Sequence, residues 1–142
     1  ANARAALLFD DGTTLTVGEN AEVVIDAFVY EPAGASRLET TVAGAFRYVS
    51  GKLGPGATRA ASVATPFAVI GVRGTDFWGG PIDGRFGIVV LEGAVTVDPP
   101  EGGSAGLAAA GRGVDIVAGA AAEPKMWGQD RRERAIATVR FD

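Results

Sequence analysis

The sequence predicts an all-β domain, either a short β-solenoid-like coil or a compact sandwich of short strands, with little or no helix. Segments with strand periodicity recur about every 8 to 12 residues. Turns that contain glycine separate them, and the chain has 21 glycines in 142 residues. No amphipathic helix of four turns is visible in the pattern. A chain of this length fits one domain, which we predict to span residues 1–142.

The first half of the chain contains the clearest strand patterns. LLF at 7–9 and TLTV at 14–17 flank a DDGT turn, which predicts a hairpin. EVVIDAFVY at 22–30 alternates with a period of two, and both of its faces are mostly apolar. We therefore expect this strand to be covered on both sides. Further strands are predicted over 38–43 and 45–50.

The second half has one long strand region and weaker signals after it. The region 62–78 is predicted as strand, GGPIDGR at 79–85 as a loop, and FGIVVLEGAVTV at 86–97 as two short strands separated by Gly93. The C-terminal segments are predicted, in order, as a loop at 98–106, a short strand at 113–119, a helical turn within 122–135 and a closing strand at 136–141.

The residue types argue against an enzyme. His and Cys are both absent, which removes the commonest general base and the thiol nucleophile. Asp10 and Asp11 precede Gly12, where Asp is a common turn residue, so we assign them to the turn. Trp78 and Trp127 are predicted to close the core at strand ends rather than to form a sugar platform. No calcium loop of alternating Asp and Asn ending in Glu is present, and we predict no catalytic, metal-binding or cofactor-binding residue.

Net charge and hydropathy limit the partners. The formal net charge is −4 at pH 7, whereas nucleic acids and anionic membranes attract an excess of Lys and Arg. We therefore expect no nucleic-acid partner. The chain has no apolar run of the roughly 18 residues that a spanning helix needs, so we also expect no membrane insertion by this chain.

The stretch TPFAVIGVRGTDFWGG, residues 65–80, places charged side chains in a run that otherwise has the character of a buried strand. Pro66 lacks an N–H donor, which suits the start of a strand or an edge. Gly71 and Gly74 lie within the strand pattern, where glycine marks a bulge or a close approach of two backbones. We therefore expect the chain to bend here.

Arg73 lies between these two glycines. Its guanidinium offers five donors in a fixed fork, which can bind several backbone carbonyls and pair with a carboxylate. We predict that the Arg73 head group is largely buried and bonded to backbone oxygens. Glu92 is its leading candidate partner, and Asp76 is the second.

Three short motifs follow one another in the middle of the chain. They are Thr-Pro at 65–66 entering a strand, Gly-Val-Arg-Gly-Thr at 71–75, and Leu-Glu-Gly at 91–93. In this order, and preceded by FDDGTTLTVGENAEVVID and GAFRYVSGK, they resemble the FecR domain family. The resemblance covers about residues 5–97 and leaves 98–142 as a C-terminal β extension.

The resemblance implies a small all-β domain of solenoid-like character in the bacterial envelope, on the periplasmic or extracellular side. The best-known members of the family are the sensor parts of membrane-anchored sigma-factor regulators, which receive a signal from an outer-membrane receptor. We predict a structural role for nine residues, which we call the motif residues: Thr65, Pro66, Gly71, Arg73, Gly74, Thr75, Asp76, Glu92 and Gly93.

Three functions remain open from the sequence. The first is a non-catalytic envelope domain that mediates protein interaction or signal reception. The second is a self-associating structural subunit, an edge-to-edge or head-to-tail homo-oligomer or fibre, because a solenoid exposes unpaired edges at both ends. The third is a glycan-acting enzyme that uses two carboxylates across an open groove.

Overall fold

Strands make up most of the chain. A computed structural model describes residues 5–9, 12–29, 35–51, 58–100, 105–107, 110–117 and 120–139. Within these ranges the chain forms twelve strands and one helix, so the all-β prediction with little helix is confirmed. The elements are β1 (Ala5–Leu8), β2 (Thr14–Val17), β3 (Glu22–Val29), β4 (Ala35–Ala43), β5 (Phe46–Val49), β6 (Thr58–Ala64), β7 (Val69–Ile82), β8 (Arg85–Asp98), β9 (Ala105–Leu107), β10 (Arg112–Val117), β11 (Ala120–Ala121), β12 (Lys125–Met126) and α1 (Gln129–Ala137).

A long antiparallel hairpin of β7 and β8 organises the fold. Its ladder runs from Val69 opposite Asp98 to Ile82 opposite Arg85. The two turn residues, 83 and 84, have positive φ angles of 53° and 77°. An Asp-Gly pair suits this geometry, because both positions of a tight type I′ turn need positive φ.

The other strands branch from the two sides of this hairpin. On the β7 side, the C-terminal half of β7 pairs with β5, which continues to β2 and β1, and the N-terminal half pairs with β6, which continues to β4 and β3. On the β8 side, β10 and β9 pair with the two halves of β8, and β11 and β12 pair with β10. Among the described residues every pairing is antiparallel except that of β4 with β6, and solenoid-like winding is not confirmed.

The sheet curls so that its branches enclose one core. Phe9, after β1, makes an edge-to-face contact with Phe28 of β3 at 5.4 Å between ring centroids, which joins the two ends of the strand order. A single apolar cluster contains side chains from both branches and from β9 and β10. Its fully buried members include Leu15, Leu38, Val42, Phe46, Tyr48, Val63, Ile70 and Phe77.

The helix α1 covers a second, smaller cluster beside the main core. Trp78 and Trp127 are both buried and meet edge to face at 6.1 Å, so both rings pack inside the protein as predicted, although Trp78 lies within β7 and not at a strand end. Ala135 of α1 and Val139 after it complete the cluster. Thr138 Oγ1 accepts a 3.0 Å hydrogen bond from Trp78 Nε1, so the end of the helix is tied to β7.

Several predicted boundaries in the central region are wrong. Residues 65–68 form a bend that divides the predicted strand region 62–78 into β6 and β7. In the predicted loop 79–85, only residues 83 and 84 are turn. The segment 86–97 belongs to one continuous strand, because Gly93 takes a φ of 89° at an irregularity and the ladder continues beyond it.

The C-terminal predictions are corrected as well. The predicted loop 98–106 contains the end of β8 and the start of β9. The predicted closing strand 136–141 is wrong over its first four residues, which end α1 and form a turn; residues 140–142 lie outside the described part. The side chains of Gln129 and Asp130 bond to those of Glu133 and Arg134, four residues on, which is helical spacing.

Two predictions about the N-terminal strands have different outcomes. The β1–β2 hairpin is confirmed, whereas Asp10 and Asp11 of its predicted turn lie outside the described residues. The expectation that β3 is covered on both sides is wrong, since Val24 and Ile25 are 56% and 50% exposed. β3 is also the last strand in its branch, so one edge of it has no neighbouring strand among the described residues.

Candidate functional site

The Thr-Pro motif closes the bend that begins β7. Thr65 Oγ1 accepts hydrogen bonds from the N–H groups of Phe67 at 3.2 Å and Ala68 at 2.9 Å, and donates to the carbonyl of Ala68 at 2.8 Å. Pro66 is exposed within this bend, where its missing N–H breaks no ladder bond. The bend also places the Phe67 ring in a stacked contact with Phe86 at 4.8 Å.

The sequence predicted a bulge or a close approach of two backbones at Gly71 and Gly74, and the structure bears this out at Gly74 alone. Gly71 lies in a regular part of the β7–β8 ladder opposite Thr96, and a Cβ there would lie 2.7 Å from Thr96 Oγ1. Gly74 lies at a register shift and has a φ of 42°. Opposite it, a Cβ on Gly93 would lie 2.3 Å from the Gly74 carbonyl oxygen. The two backbones therefore approach closely at the bend of the hairpin.

Thr75 joins three strands at this bend, and its side chain is buried. Its hydroxyl donates to the carbonyl of Ala94 and accepts from the N–H of Ala94 at 3.2 Å. The Thr75 N–H donates to Ser50 Oγ at 3.1 Å, and the Thr75 carbonyl accepts from the Ser50 N–H at 2.8 Å. One residue thus links β7 to β8 and to the end of β5.

We predict that Thr75→Val lowers the free energy of unfolding by about 1–3 kcal/mol. Valine keeps the shape of the side chain but leaves the part-buried Ala94 N–H and carbonyl without the hydroxyl, and a polar group that loses its partner away from water costs about that much. Thr75→Ser keeps the hydroxyl and is the matched control. Urea unfolding followed by tryptophan fluorescence measures both variants; equal losses would show that the methyl group, and not the hydroxyl, stabilises this bend.

Asp76 forms a forked ion pair with Arg47, a residue that the sequence did not suggest. Arg47 Nε donates to Asp76 Oδ1 at 2.9 Å and Nη2 donates to Oδ2 at 2.7 Å. The hydrogen bond to Asp76 raises the pKa of Arg47. Arg47 lies between Phe46 and Tyr48, whose side chains enter the core, so alternation along β5 was the available signal that Arg47 faces the other way.

The pairing of Arg73 with Glu92 or Asp76 stays a prediction. The Arg73 side chain lies outside the described part of the structure, so neither its burial nor its pairing is tested. Glu92 is exposed and lies directly opposite Asp76 in the ladder. The two candidate carboxylates are therefore neighbours across the β7–β8 ladder, next to the bend at Gly74 and Gly93.

A second polar group, which we call the helix anchor, connects α1 to the sheet. Its members are Asp83, Arg85, Asp115, Trp127, Arg131 and Arg134. The Arg131 guanidinium lies 4.0 Å from the centre of the Trp127 ring, and its Nη2 donates to Asp115 Oδ1 at 2.7 Å. Asp115 is 5% exposed, so this is a largely buried charge pair. Arg131 Nε also lies 3.1 Å from Asp83 Oδ2.

The outer part of the helix anchor is exposed to solvent. Arg134 Nη1 donates to Asp83 Oδ1 at 2.6 Å, and Arg134 Nε donates to Asp130 Oδ2 at 2.9 Å. The hydrogen bond from Arg134 holds the pKa of Asp83 below its usual value. Arg85 Nη1 is 3.6 Å from Asp115 Oδ2, a longer contact than the bond from Arg131. The β7–β8 turn, β10 and α1 are thus linked by alternating charges.

We predict that the protein loses stability in acid when Asp83 becomes protonated and its ion pairs are lost. Because the folded-state pKa of Asp83 is lowered, its contribution is present above the unfolded pKa of about 3.9 and is lost as the pH falls through the lower folded value. Asp83→Asn should therefore melt below the wild type at pH 6 and approach it at about pH 2. Asn tolerates the positive φ of this position.

The control for this pH profile is Glu123→Gln, which changes the net charge equally at another exposed position. Melting temperatures by circular dichroism across the acid range compare the three proteins. A constant difference between Asp83→Asn and the wild type at every pH would contradict the ion-pair explanation.

An open apolar groove lies between the bend at residues 65–68 and β10. Its volume is about 370 Å³, and its lining consists of Phe67, Pro81, Gly84, Arg85, Phe86, Ile116 and Val117. Arg85 is the one charged residue in this lining. Within the part of the chain that the structure describes, no group of three His, Cys, Asp or Glu side chains is placed to hold a metal ion. Over the same residues no helix is both long and apolar enough to cross a membrane.

The sequence of the chain matches the model of one known protein family. The family model described as FecR protein matches residues 1–96. The chain belongs to the FecR family. The match contains all nine motif residues and most of β8. Asp115, Trp127 and Arg131 of the helix anchor lie beyond the part matched to the FecR model.

Solved structures share the fold of this FecR chain. Two crystal structures of a proposed anti-sigma factor from Parabacteroides distasonis, at 1.65 and 2.50 Å resolution, each superpose with a TM-score of 0.69 at 17% sequence identity. Each alignment covers 94% of this chain and 59% of that protein, so the FecR chain spans about three fifths of its length. No curated protein sequence matches the chain.

Proposed function

We propose that this chain is a non-catalytic regulatory domain of the bacterial envelope, on the periplasmic or extracellular side, that acts in signalling by binding another protein. Membership of the FecR family over residues 1–96 is the observation that carries the proposal. The fold shared with a proposed anti-sigma factor is consistent with a signalling role.

The contacts of the motif residues support a structural role for them. The side chains of Thr65, Thr75 and Asp76 are all bonded within the chain. Gly74 and Gly93 form the bend where the two backbones approach closely, and Gly71 leaves room for the Thr96 side chain. A motif used in this way maintains the shape of a domain and leaves recognition to its surface.

Residues 1–142 are proposed to form one domain. Leu107 of β9 and Val114 and Ile116 of β10 lie in the same apolar cluster as the strands that carry the motif. The C-terminal extension therefore completes the core of the motif-bearing part. The carboxylate-dependent glycan reaction gains no support from the apolar groove, whose charged residue is an arginine.

The proposal is tested by capture followed by reconstitution. The immobilised 142-residue chain is incubated with envelope extract of the source bacterium, and a retained protein is purified and titrated against the free chain. Saturable binding that is lost with the heat-unfolded chain is expected. If no protein binds the folded chain in preference to the unfolded one, the proposal is wrong.

Self-association is the second candidate function. It is favoured by β1 and β3, the two ends of the strand order, each of which pairs on one side only among the described residues. Exposed strand edges can pair with edges of other copies. Size-exclusion chromatography with light scattering separates the candidates, since a mass that stays monomeric at every concentration would reject self-association.

A further inference from the structure

The N-terminal part of β3 is a regular strand edge. Residues Glu22 to Ile25 pair in register with Ala43 to Thr40 of β4 on one side. Among the described residues, no strand pairs with the other side. A register shift follows between Ile25 and Ala27, which ends the regular ladder. An added strand would therefore find about four residues of undistorted edge before this irregularity.

This edge carries exposed apolar side chains. Val24 and Ile25 are adjacent and about half exposed, so each face of the strand presents one β-branched side chain near the edge. Exposed apolar edges are templates for pairing with another chain, and proteins usually protect them with Lys or Pro. Here neither residue type occurs between Glu22 and Val29.

The charged side chains of β3 itself, Glu22 and Asp26, are both acidic. Residues 5–36 contain six Asp or Glu residues and neither Lys nor Arg. Since the net charge of the whole chain is −4, the remainder of the chain is net basic. Glu22 and Asp26 flank the two exposed apolar residues, and Asp26 Oδ2 accepts a 2.7 Å hydrogen bond from Thr41 Oγ1.

This charge pattern selects among the possible occupants. A second copy added edge to edge through β3 would place two acidic strands side by side, and like charges on facing strands are destabilising. A basic strand would instead meet opposite charges, which favour association and set its register. An anionic membrane surface would be repelled.

We infer that the β3 edge, Glu22 to Ile25, binds an extended segment of a partner protein in which aliphatic residues alternate with Lys or Arg. Main-chain hydrogen bonds add this segment as a strand next to β3. Its cations lie on the face of β3 that Glu22, Val24 and Asp26 share, and its aliphatic side chains lie on the opposite face, where they contact Ile25. The inference deepens the proposed function and rests on it in one respect, that the chain binds a protein.

Synthetic peptides provide the probe. A fluorescent peptide of about eight residues that alternates Lys and Val, a length typical of a short strand, is titrated against the 142-residue chain by anisotropy at low salt. A peptide of the same charge with Pro at its central Val cannot complete the ladder, and a Glu–Val peptide reverses the charge. We expect the Lys–Val peptide to bind at least about tenfold more tightly than either of the other two.

Paired variants locate the site. The double variant Glu22→Lys/Val24→Lys should bind the Lys–Val peptide at least about tenfold more weakly. The control double variant Glu123→Lys/Val117→Lys makes the same charge change at an exposed loop residue and an exposed apolar residue of β10. We expect it to bind within about twofold of the wild type. Circular dichroism verifies that both variants are folded.

Three results would overturn the inference. They are retained peptide binding in the β3 variant, an equal loss in the control variant, and equal binding of the Pro-containing peptide, which would indicate charge attraction alone. A concentration-dependent dimer that the β3 variant abolishes would identify a second copy as the occupant. If a partner from envelope extract still binds the β3 variant fully, the edge assignment is wrong while the proposed function stands.

Discussion

Replacing Arg131 with Met is expected to lower the free energy of unfolding by about 3 kcal/mol, at the low end of the range for removing one partner of a buried ion pair. Arg131 donates at 2.7 Å to Asp115, whose side chain is almost fully buried. Methionine fills much of the volume over Trp127 but leaves the Asp115 carboxylate without its nearest cation. Arg85, at 3.6 Å, compensates in part, which places the expected loss at the low end.

The matched control lies three residues along the same helix. Arg134→Met removes contacts to Asp83 and Asp130, but all three side chains are substantially exposed. Solvent screens exposed ion pairs, so this variant should unfold at nearly the same urea concentration as the wild type. Urea unfolding at neutral pH followed by fluorescence measures both variants.

A double-mutant cycle separates the ion pair from the packing of Arg131. Combining Arg131→Met with Asp115→Asn removes both charges, and we expect the double variant to be more stable than the sum of the two single losses predicts. Strict additivity would contradict a direct interaction between Arg131 and Asp115. It would leave the contact of Arg131 with the Trp127 ring as the source of the loss.

The sequence predicted the strands whose alternation faces a core on one side. Leu15 with Val17, and Phe46 with Tyr48, point into the main core as their spacing of two indicates. At Thr65-Pro66 the missing N–H of proline indicated the start of a strand, which β7 confirms, although the bend before it was not predicted. These features depend on neighbouring residues alone, so the sequence contains the physical information needed to predict them.

The features missed by sequence reasoning depend on contacts between distant segments. Arg47 and Asp76 are 29 residues apart and meet because β5 pairs with β7, which no local pattern predicts. Helix α1 has a mostly polar sequence and is docked through Arg131 and Ala135. The Asp83-Gly84 pair did carry a hairpin signal, but Gly79, Gly80 and Pro81 before it favoured a loop.

The bend in the β7–β8 hairpin explains why Gly93 is required in the motif. Its φ of 89° lies in the region that side chains avoid, and a Cβ would lie 2.3 Å from the Gly74 carbonyl oxygen and 3.0 Å from the Thr75 Cα. We predict that Gly93→Ala lowers the free energy of unfolding by about 3 kcal/mol or more, the sum of about 1–2 kcal/mol of backbone strain and a similar or larger overlap term.

The overlap can be separated from the strain by comparison with Gly74. Gly74 also has a positive φ, 42°, but a Cβ there would meet no atom within 4 Å. Gly74→Ala should therefore show the strain alone, about 1–2 kcal/mol. If chemical denaturation gives equal losses for the two variants, the close approach of the Gly74 carbonyl to Gly93 does not constrain the bend. A larger loss for Gly93→Ala indicates that a side chain at position 93 forces the β7 and β8 backbones apart. The overlapping oxygen belongs to Gly74, which directly precedes Thr75, the residue whose hydroxyl holds these two backbones together.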